Sequence, residues 1–295
     1  MIKCEDLSKK YRSTSALSNF SCVIKENTIT GVIGRNGAGK TTFLKLVAGY
    51  LKKTSGELYV MDENPFNSLK VSANTIFIDD QMSLPTSLNL EELLESFSMF
   101  YPNWNGPLAK ELMAYFQLPQ KAYVQNLSKG MLSTFHAIIG FAARCPLTIY
   151  DEPTTGMDAA VRKDFYRALL KDYLAFPRTI LLSSHHLDEI ENLLEDVLII
   201  HQQHAFLHTS VSELKESVIG VKGEKDVVDR FVGMHEKLSY TETMPGFVMA
   251  VVKISGNVYQ NKHPDLTFTN LSANEAFVYV TAQSGGGIDR VFTGS

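Results

Sequence analysis

Short apolar runs alternate with amphipathic stretches through the first two-thirds of the chain. The apolar runs are rich in β-branched residues, which is typical of strands buried on both faces of a sheet. Strands are predicted at Ile29–Ile33, Thr75–Ile78, Leu147–Tyr150, Thr179–Ser183 and Val197–His201. Helices are predicted between them at Thr41–Ala48, Ala160–Ala175 and Leu187–Leu194. Strands separated by helices indicate an α/β fold with a mostly parallel sheet covered on both faces.

A different pattern interrupts this alternation between Gln81 and Pro146. It contains helical stretches such as Leu90–Phe100 and Pro107–Phe116, and little strand signal. We therefore expect a helical subdomain, at about residues 82–146, inserted into the α/β core. Gln81 and Pro146 are expected to lie near its hinges.

The pattern changes again after a first domain of about residues 1–210. A polar helix is predicted at Glu224–Leu238, followed by strands at Phe247–Ile254 and Leu266–Asn270. A closing helix is predicted at Ala273–Ala282. These elements predict a small C-terminal α+β accessory domain over residues 211–295, whose role the sequence leaves open.

Composition narrows the class of protein. The chain has 295 residues, 44% of them hydrophobic, and a formal net charge of −4, which argues against nucleic acid as a partner. Its three cysteines are widely spaced and odd in number, as expected of reduced thiols in a cytosolic protein. No apolar run approaches the roughly 20 residues that a membrane span requires. If the protein works at a membrane, a separate chain is expected to supply the span.

A phosphate-binding loop is predicted between the first apolar strand and the helix that follows it. The stretch Gly34–Thr41 fits the pattern G-x-x-x-x-G-K-[ST] in full, and Thr42 adds a second hydroxyl. Glycines let backbone amides curl around an anion, lysine reaches the outer phosphates, and threonine can ligate Mg²⁺. The loop therefore predicts binding of a nucleoside triphosphate. The residues expected to hold the phosphates are Gly34, Asn36, Gly37, Ala38, Gly39, Lys40, Thr41 and Thr42.

A second candidate site is the pair of acids at the end of the strand that precedes Pro153. Asp151 is placed to hold Mg²⁺ opposite Thr41, because carboxylate and hydroxyl oxygens suit this ion. Glu152 is expected to polarise the attacking water. Taken alone, this pair of acids could equally be a solvated acidic turn that follows a strand.

Several further residues and short stretches occur in a fixed order along the chain. Leu127–Met131 has the form of a signature motif, and Thr155–Asp158 that of a D-loop. Gln81 follows one predicted strand, and His185 follows another. Tyr11 precedes the phosphate loop. Over about residues 1–210 the chain thus resembles the ATP-binding subunit of a bacterial ABC transporter, which implies a P-loop ATPase core.

The resemblance implies roles for these residues. Glu152, His185 and Gln81 would be catalytic, with His185 contacting the γ-phosphate. Thr41, Gln81 and Asp151 would hold Mg²⁺, and Tyr11 would stack on adenine. The cofactors implied are ATP and Mg²⁺.

The resemblance also implies a head-to-tail dimer with two ATP molecules at its interface. Asp158 would link the two active sites across that interface. A homodimer is expected, or a heterodimer with a second ATP-binding chain. The signature residues implied to face the partner copy's ATP are Leu127, Ser128, Lys129, Gly130 and Met131. Ser128 and the backbone amide of Gly130 would donate to its γ-phosphate. Lys129 and Met131 stand where many members have glycine and glutamine.

The Leu-Ser-Lys-Gly-Met signature and the stretch Phe100–Trp104 resemble those of export-type ATPases. These serve Gram-positive exporters of peptides or amphipathic drugs, and phenol-soluble modulin exporters are a specific candidate. A separate transmembrane permease would dock near Gln81 to Phe100 and hold the protein peripherally at the cytoplasmic face of the membrane. The alternative is an ABC-type ATPase acting on ribosomes or DNA. A further alternative is a mainly regulatory binding module.

Overall fold

The computed structural model describes residues 1–185, 187–254 and 264–281. They form two compact units, the first made of residues 1–185 and 192–208. The second takes in residues 187–191 and the described residues from 209 onward. Among the described residues, no helix combines the length and the apolar character needed to cross a membrane.

The first unit contains each strand predicted for the α/β core, together with strands and a helix that were not predicted. Its strands are β1 (Ile2–Tyr11), β2 (Thr14–Ile24), β3 (Ile29–Ile33), β4 (Ser55–Val60), β5 (Thr75–Ile78), β6 (Leu147–Asp151), β7 (Thr179–Ser184), β8 (Asp196–His201) and β9 (His204–Ser210). Its helices are α1 (Lys40–Val47), α2 (Leu69–Ala73), α3 (Leu90–Phe100), α4 (Gly106–Tyr115), α5 (Lys129–Ala143) and α6 (Ala159–Ala175).

A six-stranded sheet in the order β5-β6-β7-β3-β8-β9 forms the centre of the first unit. The pairs that join β5, β6, β7, β3 and β8 are all parallel, which confirms the α/β fold. Strands β3, β5, β6 and β7 are buried along their whole length, as continuous apolar runs require. Parallel pairing brings the carboxyl ends of these strands to one edge of the sheet.

A second, antiparallel sheet in the order β2-β1-β4 belongs to the same unit. The sequence pattern did not indicate these strands, because their residues are only partly buried and lack a continuous apolar run. β1 and β2 form a hairpin in which Tyr11 pairs with Thr14 and Arg12 has a φ of 54°.

Helices α3, α4 and α5 form the helical insert, as predicted. Asn89 begins α3 with a capping box that includes Glu92. The side chain of Asn105 accepts a hydrogen bond from Leu108 and begins α4, while its own amide donates to the carbonyl of Ala142 in α5. The last eleven residues of α5, from Ser133 to Ala143, are all buried. Phe141 packs against Tyr150 of β6 and Phe165 of α6, so this helix joins the insert to the α/β core.

The second unit contains α7 (Leu187–Ile190), α8 (Val211–Glu216), β10 (Val218–Glu224), α9 (Lys225–Val232), β11 (Glu236–Met244), β12 (Phe247–Lys253), β13 (Thr267–Asn270) and α10 (Ala273–Thr281). Its sheet is antiparallel in the order β11-β12-β10-β13. Helix α9 packs Val228 and Phe231 into the same core as Val221 and Val248 of the sheet.

Two predicted helices are shorter than expected. The predicted helix Glu224–Leu238 was wrong beyond Val232, because Gly233 ends α9 and the residues from Glu236 onward pair with β12 as strand β11. The predicted helix Leu187–Leu194 ends at Ile190, where the chain turns toward β8. Strand β10 was not predicted. Ala282, the last residue of the predicted closing helix, lies outside the described residues.

Candidate nucleotide-binding site

The predicted phosphate loop joins β3 to α1 at the carboxyl edge of the main sheet. Gly39 is the N-cap of α1 and has a φ of 110°, a conformation that glycine tolerates and other residues avoid. A Cβ atom at this position would lie 2.5 Å from the carbonyl oxygen of Ala16, so there is no room for a side chain. Because Gly39 has no side chain to cap the helix, the first amides of α1 are left to bind an anion.

The ammonium group of Lys40 lies at the centre of this loop. The residue is buried, with 6% of its surface exposed. Its Nζ donates a hydrogen bond of 2.8 Å to the carbonyl oxygen of Gly34 and lies 3.3 Å from Oε1 of Glu152. The loop therefore wraps around a cation, which is suited to neutralising phosphate oxygens.

Asp151 and Glu152 follow one another at the end of β6, and one hydroxyl orders both of them. Asp151 pairs with Ser183 in the neighbouring strand β7. The Ser183 hydroxyl donates a 2.6 Å hydrogen bond to Oδ1 of Asp151 and accepts a 2.9 Å hydrogen bond from the Glu152 amide. Burial raises the pKa of Asp151, while hydrogen bonds from Ser183 and Thr41 oppose that rise. Asp151 is thus a buried carboxylate that is already in contact with the Thr41 hydroxyl.

The Glu152 carboxylate lies between two basic side chains. Its Oε1 faces Lys40, and its Oε2 lies 2.7 Å from Nδ1 of His185. The backbone of Glu152 has a φ of 51°, an unfavourable value for a residue with a Cβ atom. Strained backbone of this kind is often found at functional sites.

Gln81 lies in the segment that follows β5. Its backbone amide donates a 3.2 Å hydrogen bond to Oδ1 of Asp79, and its side chain is exposed. Asp79 is in turn 3.4 Å from Nζ of Lys45 on α1. This pairing ties the segment that carries Gln81 to the helix that follows the phosphate loop.

An open cleft collects most of the predicted site residues. Those that line it are Asn36, Gly37, Ala38, Gly39, Lys40, Thr41, Thr42, Gln81, Asp151, Glu152 and His185. Thr155, the first residue of the predicted D-loop, also lines the cleft. So do residues that sequence reasoning missed, namely Thr14, Ser15, Ala16, Arg35, Lys45, Asp79, Asp80 and Gln203. Most of these missed residues lie beside a predicted motif, whereas Gln203 is brought in by the turn between β8 and β9.

Tyr11 does not line this cleft. Its ring is partly exposed, and Nζ of Lys9 lies 5.0 Å from the ring centroid. Thr14, which pairs with Tyr11 across the β1–β2 hairpin, does line the cleft. Tyr11 therefore lies beside a residue of the cleft lining.

The signature stretch, Leu127–Met131, and Asp158 also lie outside the lining of the cleft. The Ser128 hydroxyl accepts a 3.2 Å hydrogen bond from the Met131 amide and begins α5. Asp158 begins α6, and its Oδ1 accepts 2.9 Å hydrogen bonds from two amides of the first turn. Each of these side chains therefore caps a helix in its own chain.

The donor set suits a magnesium ion better than a softer metal. Within the part of the chain that the structure describes, no group of three or more His, Cys, Asp or Glu side chains could hold a metal alone. Asp151 and Thr41 offer hard oxygen atoms that are already in contact. Mg²⁺ commonly binds through one or two protein oxygens together with substrate phosphates, so this arrangement fits it.

Comparisons with known proteins agree with the motifs. The family model described as ABC transporter matches residues 17–155. The ABC transporter ATP-binding protein YtrB of Bacillus subtilis is 29% identical over 222 residues, which cover 75% of this chain and 76% of that protein. The bacitracin transport ATP-binding protein BcrA of Bacillus licheniformis is 33% identical over 207 residues, covering 68% of this chain and 67% of that protein.

Solved structures agree in fold. The ATP-binding subunit of an ABC transporter superposes with a TM-score of 0.65 at 23% identity, covering 73% of this chain and 92% of that one. The ATP-binding cassette MJ0796 was solved as a dimer in a post-hydrolysis state with ADP and Pi. It superposes with a TM-score of 0.63 at 20% identity, covering 71% of this chain and 98% of that one. The chain therefore belongs to the ABC transporter family, as one of its ATP-binding ATPase subunits.

Proposed function

We propose that Glu152 is the base of ATP hydrolysis and that the cleft described above is the active site. The observation that carries this proposal is the position of its carboxylate between Lys40 and His185, at the mouth of the phosphate loop. Lys40 would turn to the β- and γ-phosphates when ATP enters, which releases Oε1 of Glu152 to accept a proton from water. His185 would hold the other carboxylate oxygen and contact the γ-phosphate. Gln81 would help to place the water.

Asp151, Thr41 and Gln81 would hold Mg²⁺ in this proposal. When bound, the ion neutralises charge that develops on the phosphate oxygens. Asp151 must be ionised to bind it, and the donors Ser183 and Thr41 stabilise that form against the cost of burial. Tyr11 would stack on the adenine ring, which its exposure and its place beside Thr14 allow.

We further propose that the signature loop acts on the ATP of a second copy. None of its residues lines the cleft of its own chain, and Ser128 lies exposed at the start of α5. The start of a helix attracts phosphate because its amides and its dipole favour an anion. Two copies arranged head to tail would each complete the site of the other, with Asp158 near the junction. ATP would stabilise the closed dimer, and hydrolysis would favour opening.

The partner we propose is a transmembrane permease that docks on the helical insert and places the protein at the cytoplasmic face of the membrane. Phe97 stacks on Tyr101 and Trp104 with ring centroids 6.2 and 6.3 Å apart, so these rings belong to the packing of the insert. Met99 and Phe100, by contrast, are 83% and 76% exposed. Large apolar side chains exposed side by side favour a binding surface.

Export of peptides or amphipathic drugs is the transport activity we propose. The resemblance to the protein named for bacitracin transport supports it. In this proposal residues 1–210 form the ATPase domain, residues 82–146 its docking insert, and residues 211–295 an accessory domain.

The first test of the catalytic proposal is Glu152→Gln, which keeps the shape of the side chain and removes the base. We expect ATP binding to be retained and the turnover number to fall by about 10²–10⁴-fold, the usual contribution of a general base. Turnover equal to that of the wild type would exclude Glu152 from this role. Lys3→Gln is a suitable control, because Lys3 is an exposed residue whose only recorded ion pair among the described residues is with Glu5.

The partner is tested by purifying the tagged protein from gently solubilised cells and identifying what comes with it. We expect a stoichiometric membrane protein with several spans. Substituting Met99 and Phe100 together by serine should lose that protein while ATPase activity stays. Recovery with ribosomes or DNA, and no membrane protein, would favour the alternative of a soluble ABC-type ATPase.

A further inference from the structure

The loop that follows Glu152 is held by a short series of hydrogen bonds. The Glu152 carbonyl oxygen accepts two of them from one residue, Thr155, whose amide lies at 3.2 Å and whose hydroxyl lies at 2.9 Å. These bonds close a tight turn directly after the left-handed backbone of Glu152. The direction of the Glu152 side chain therefore depends on where Thr155 is fixed.

Thr155 is fixed from the side of the helical insert. The hydroxyl of Ser133, on the second turn of α5, donates a 2.7 Å hydrogen bond to the Thr155 carbonyl oxygen. Ser133 is buried, so water competes little for this bond. One continuous path thus runs from Ser133 through Thr155 to the backbone of Glu152.

Close packing of two backbones reinforces the same contact. A Cβ atom at Gly130 would lie 2.6 Å from the carbonyl oxygen of Gly156, so only glycine lets α5 approach the loop this closely. Gly156 has a φ of 85° and packs against the side chain of Lys129. The signature loop and the loop after Glu152 therefore form one tightly fitted surface within a single chain.

We propose that Ser133 is a positioning residue for Glu152 and acts on it through Thr155. The inference rests on the proposed role of Glu152 as the base. Without the Ser133 hydroxyl, the turn at Thr155 loses its anchor to α5, and the strained backbone of Glu152 is free to relax toward an ordinary conformation. The carboxylate would then spend less time aimed at the attacking water, while the phosphate loop that binds ATP is unchanged.

A matched control exists on the same helix. Thr134, the next residue, is also buried, and its hydroxyl donates a 2.8 Å hydrogen bond to the Gly130 carbonyl oxygen one turn back in α5. That carbonyl keeps its ordinary helical partner when the hydroxyl is removed. Thr134→Val therefore removes a buried hydroxyl from α5 without touching the loop after Glu152.

The test measures the turnover number and the ATP dissociation constant for these variants. We expect Ser133→Ala to lower turnover about three- to tenfold, the usual effect of one hydrogen bond, with the ATP dissociation constant within about twofold. Ser133→Thr, which keeps the hydroxyl, should recover most of the loss. Thr134→Val should stay within about twofold of the wild type on both measurements.

A second variant tests the same path if Ser133→Ala does not fold. Thr155→Val keeps the shape of the side chain and removes the hydroxyl that holds the Glu152 carbonyl. We expect it to lower turnover by a similar factor, and the double variant with Ser133→Ala to be less impaired than the product of the two single effects. Independent effects that multiply in full would contradict a shared path.

The result that would overturn the inference is a Ser133→Ala enzyme that turns over as fast as Thr134→Val. A loss of turnover matched by an equal loss of ATP affinity would also contradict it. Glu152→Gln, measured in the same assay, distinguishes failure of the positioning role of Ser133 from failure of the proposed role of Glu152 as the base. If Glu152→Gln is inactive and Ser133→Ala is not impaired, only the positioning role fails.

Discussion

The hydroxyl of Ser183 offers a sharp test of how the acidic pair is held. It donates to the buried carboxylate of Asp151 and accepts from the amide of Glu152. Ser183→Ala removes both bonds with almost no change in volume. The Asp151 carboxylate then loses one of its hydrogen-bond donors, and the Glu152 amide loses the hydroxyl that accepts its hydrogen bond.

The expected cost follows from these two groups. A buried polar group that loses its partner costs about 1–3 kcal/mol, so Ser183→Ala, which affects two groups, should destabilise the first unit by about 2–6 kcal/mol. For a unit of this size each kcal/mol lowers Tm by about 2–4 °C, which gives a fall of about 4–24 °C. The matched control is Thr75→Val on β5, because the Thr75 hydroxyl is buried and has no hydrogen-bond partner among the described residues. Thr75→Val should change Tm little or raise it.

The loss should also depend on pH. Burial raises the pKa of Asp151 above its ordinary value of 3.8, and the Ser183 bond opposes that rise. Without Ser183 the pKa in the folded state rises further. A carboxyl with a raised folded-state pKa favours folding below pH 3.8 and loses that contribution as the pH rises through the folded pKa. The gap in stability between the wild type and Ser183→Ala should therefore widen from acid toward neutral pH.

The assay is thermal or urea unfolding of the apoprotein at several pH values, read by circular dichroism. Equal Tm values for Ser183→Ala and the wild type at neutral pH would refute the reasoning. So would a stability gap that is largest in acid.

Three other substitutions test separate parts of the account. Gly39→Ala should abolish detectable ATP binding in a fluorescent-nucleotide titration, because the new Cβ would meet the Ala16 carbonyl at 2.5 Å; wild-type affinity would contradict the geometry of the loop. Ser128→Arg should leave ATP binding to the monomer within about threefold of the wild type, since Ser128 lies outside the cleft of its own chain. It should block dimer formation in cross-linking, because the proposed arrangement places Ser128 against the ATP of the second copy. A cross-linked dimer in that variant would argue against the trans arrangement. Asp158→Ala should lower Tm by about 2–4 °C, since an N-cap is worth about 1 kcal/mol, while Asp158→Asn should restore it; equal Tm values for both would contradict the capping role.

Continuous apolar runs made the central sheet predictable. Ile29–Ile33 and Thr75–Ile78 match strands β3 and β5 residue for residue, because a strand buried on both faces contains little else than apolar residues. Once these strands are parallel, the residues after them meet at one edge. This is why the phosphate loop, Asp151, Glu152 and His185 could be expected to lie together.

The elements that were missed have weaker local signals. β1 and β2 are partly exposed, and their register is set by pairing with each other rather than by sequence periodicity. Residues 236–238 of β11 were predicted as the end of a helix, and the rest of the strand was not predicted. Its polar residues fit either structure, and pairing with β12 decides between them.

Contacts of the site that depend on register could not be predicted either. Ser183 reaches Asp151 because β6 and β7 align these two residues, and nothing in the sequence near Asp151 indicates that alignment. Ser133 contacts Thr155 across twenty-two positions of sequence for the same kind of reason, since α5 packs beside the loop. Long-range contacts of this kind follow from the folded arrangement of elements, which local patterns do not encode.

We expect two copies to close around ATP when hydrolysis is blocked. The most direct measurement is the molar mass of Glu152→Gln by light scattering, with ATP and separately with ADP. The expected result is a dimer with ATP and a monomer with ADP, and a monomer in both cases once Ser128→Arg is added. A monomer with ATP demonstrably bound, or a dimer of equal mass with either nucleotide, would contradict it.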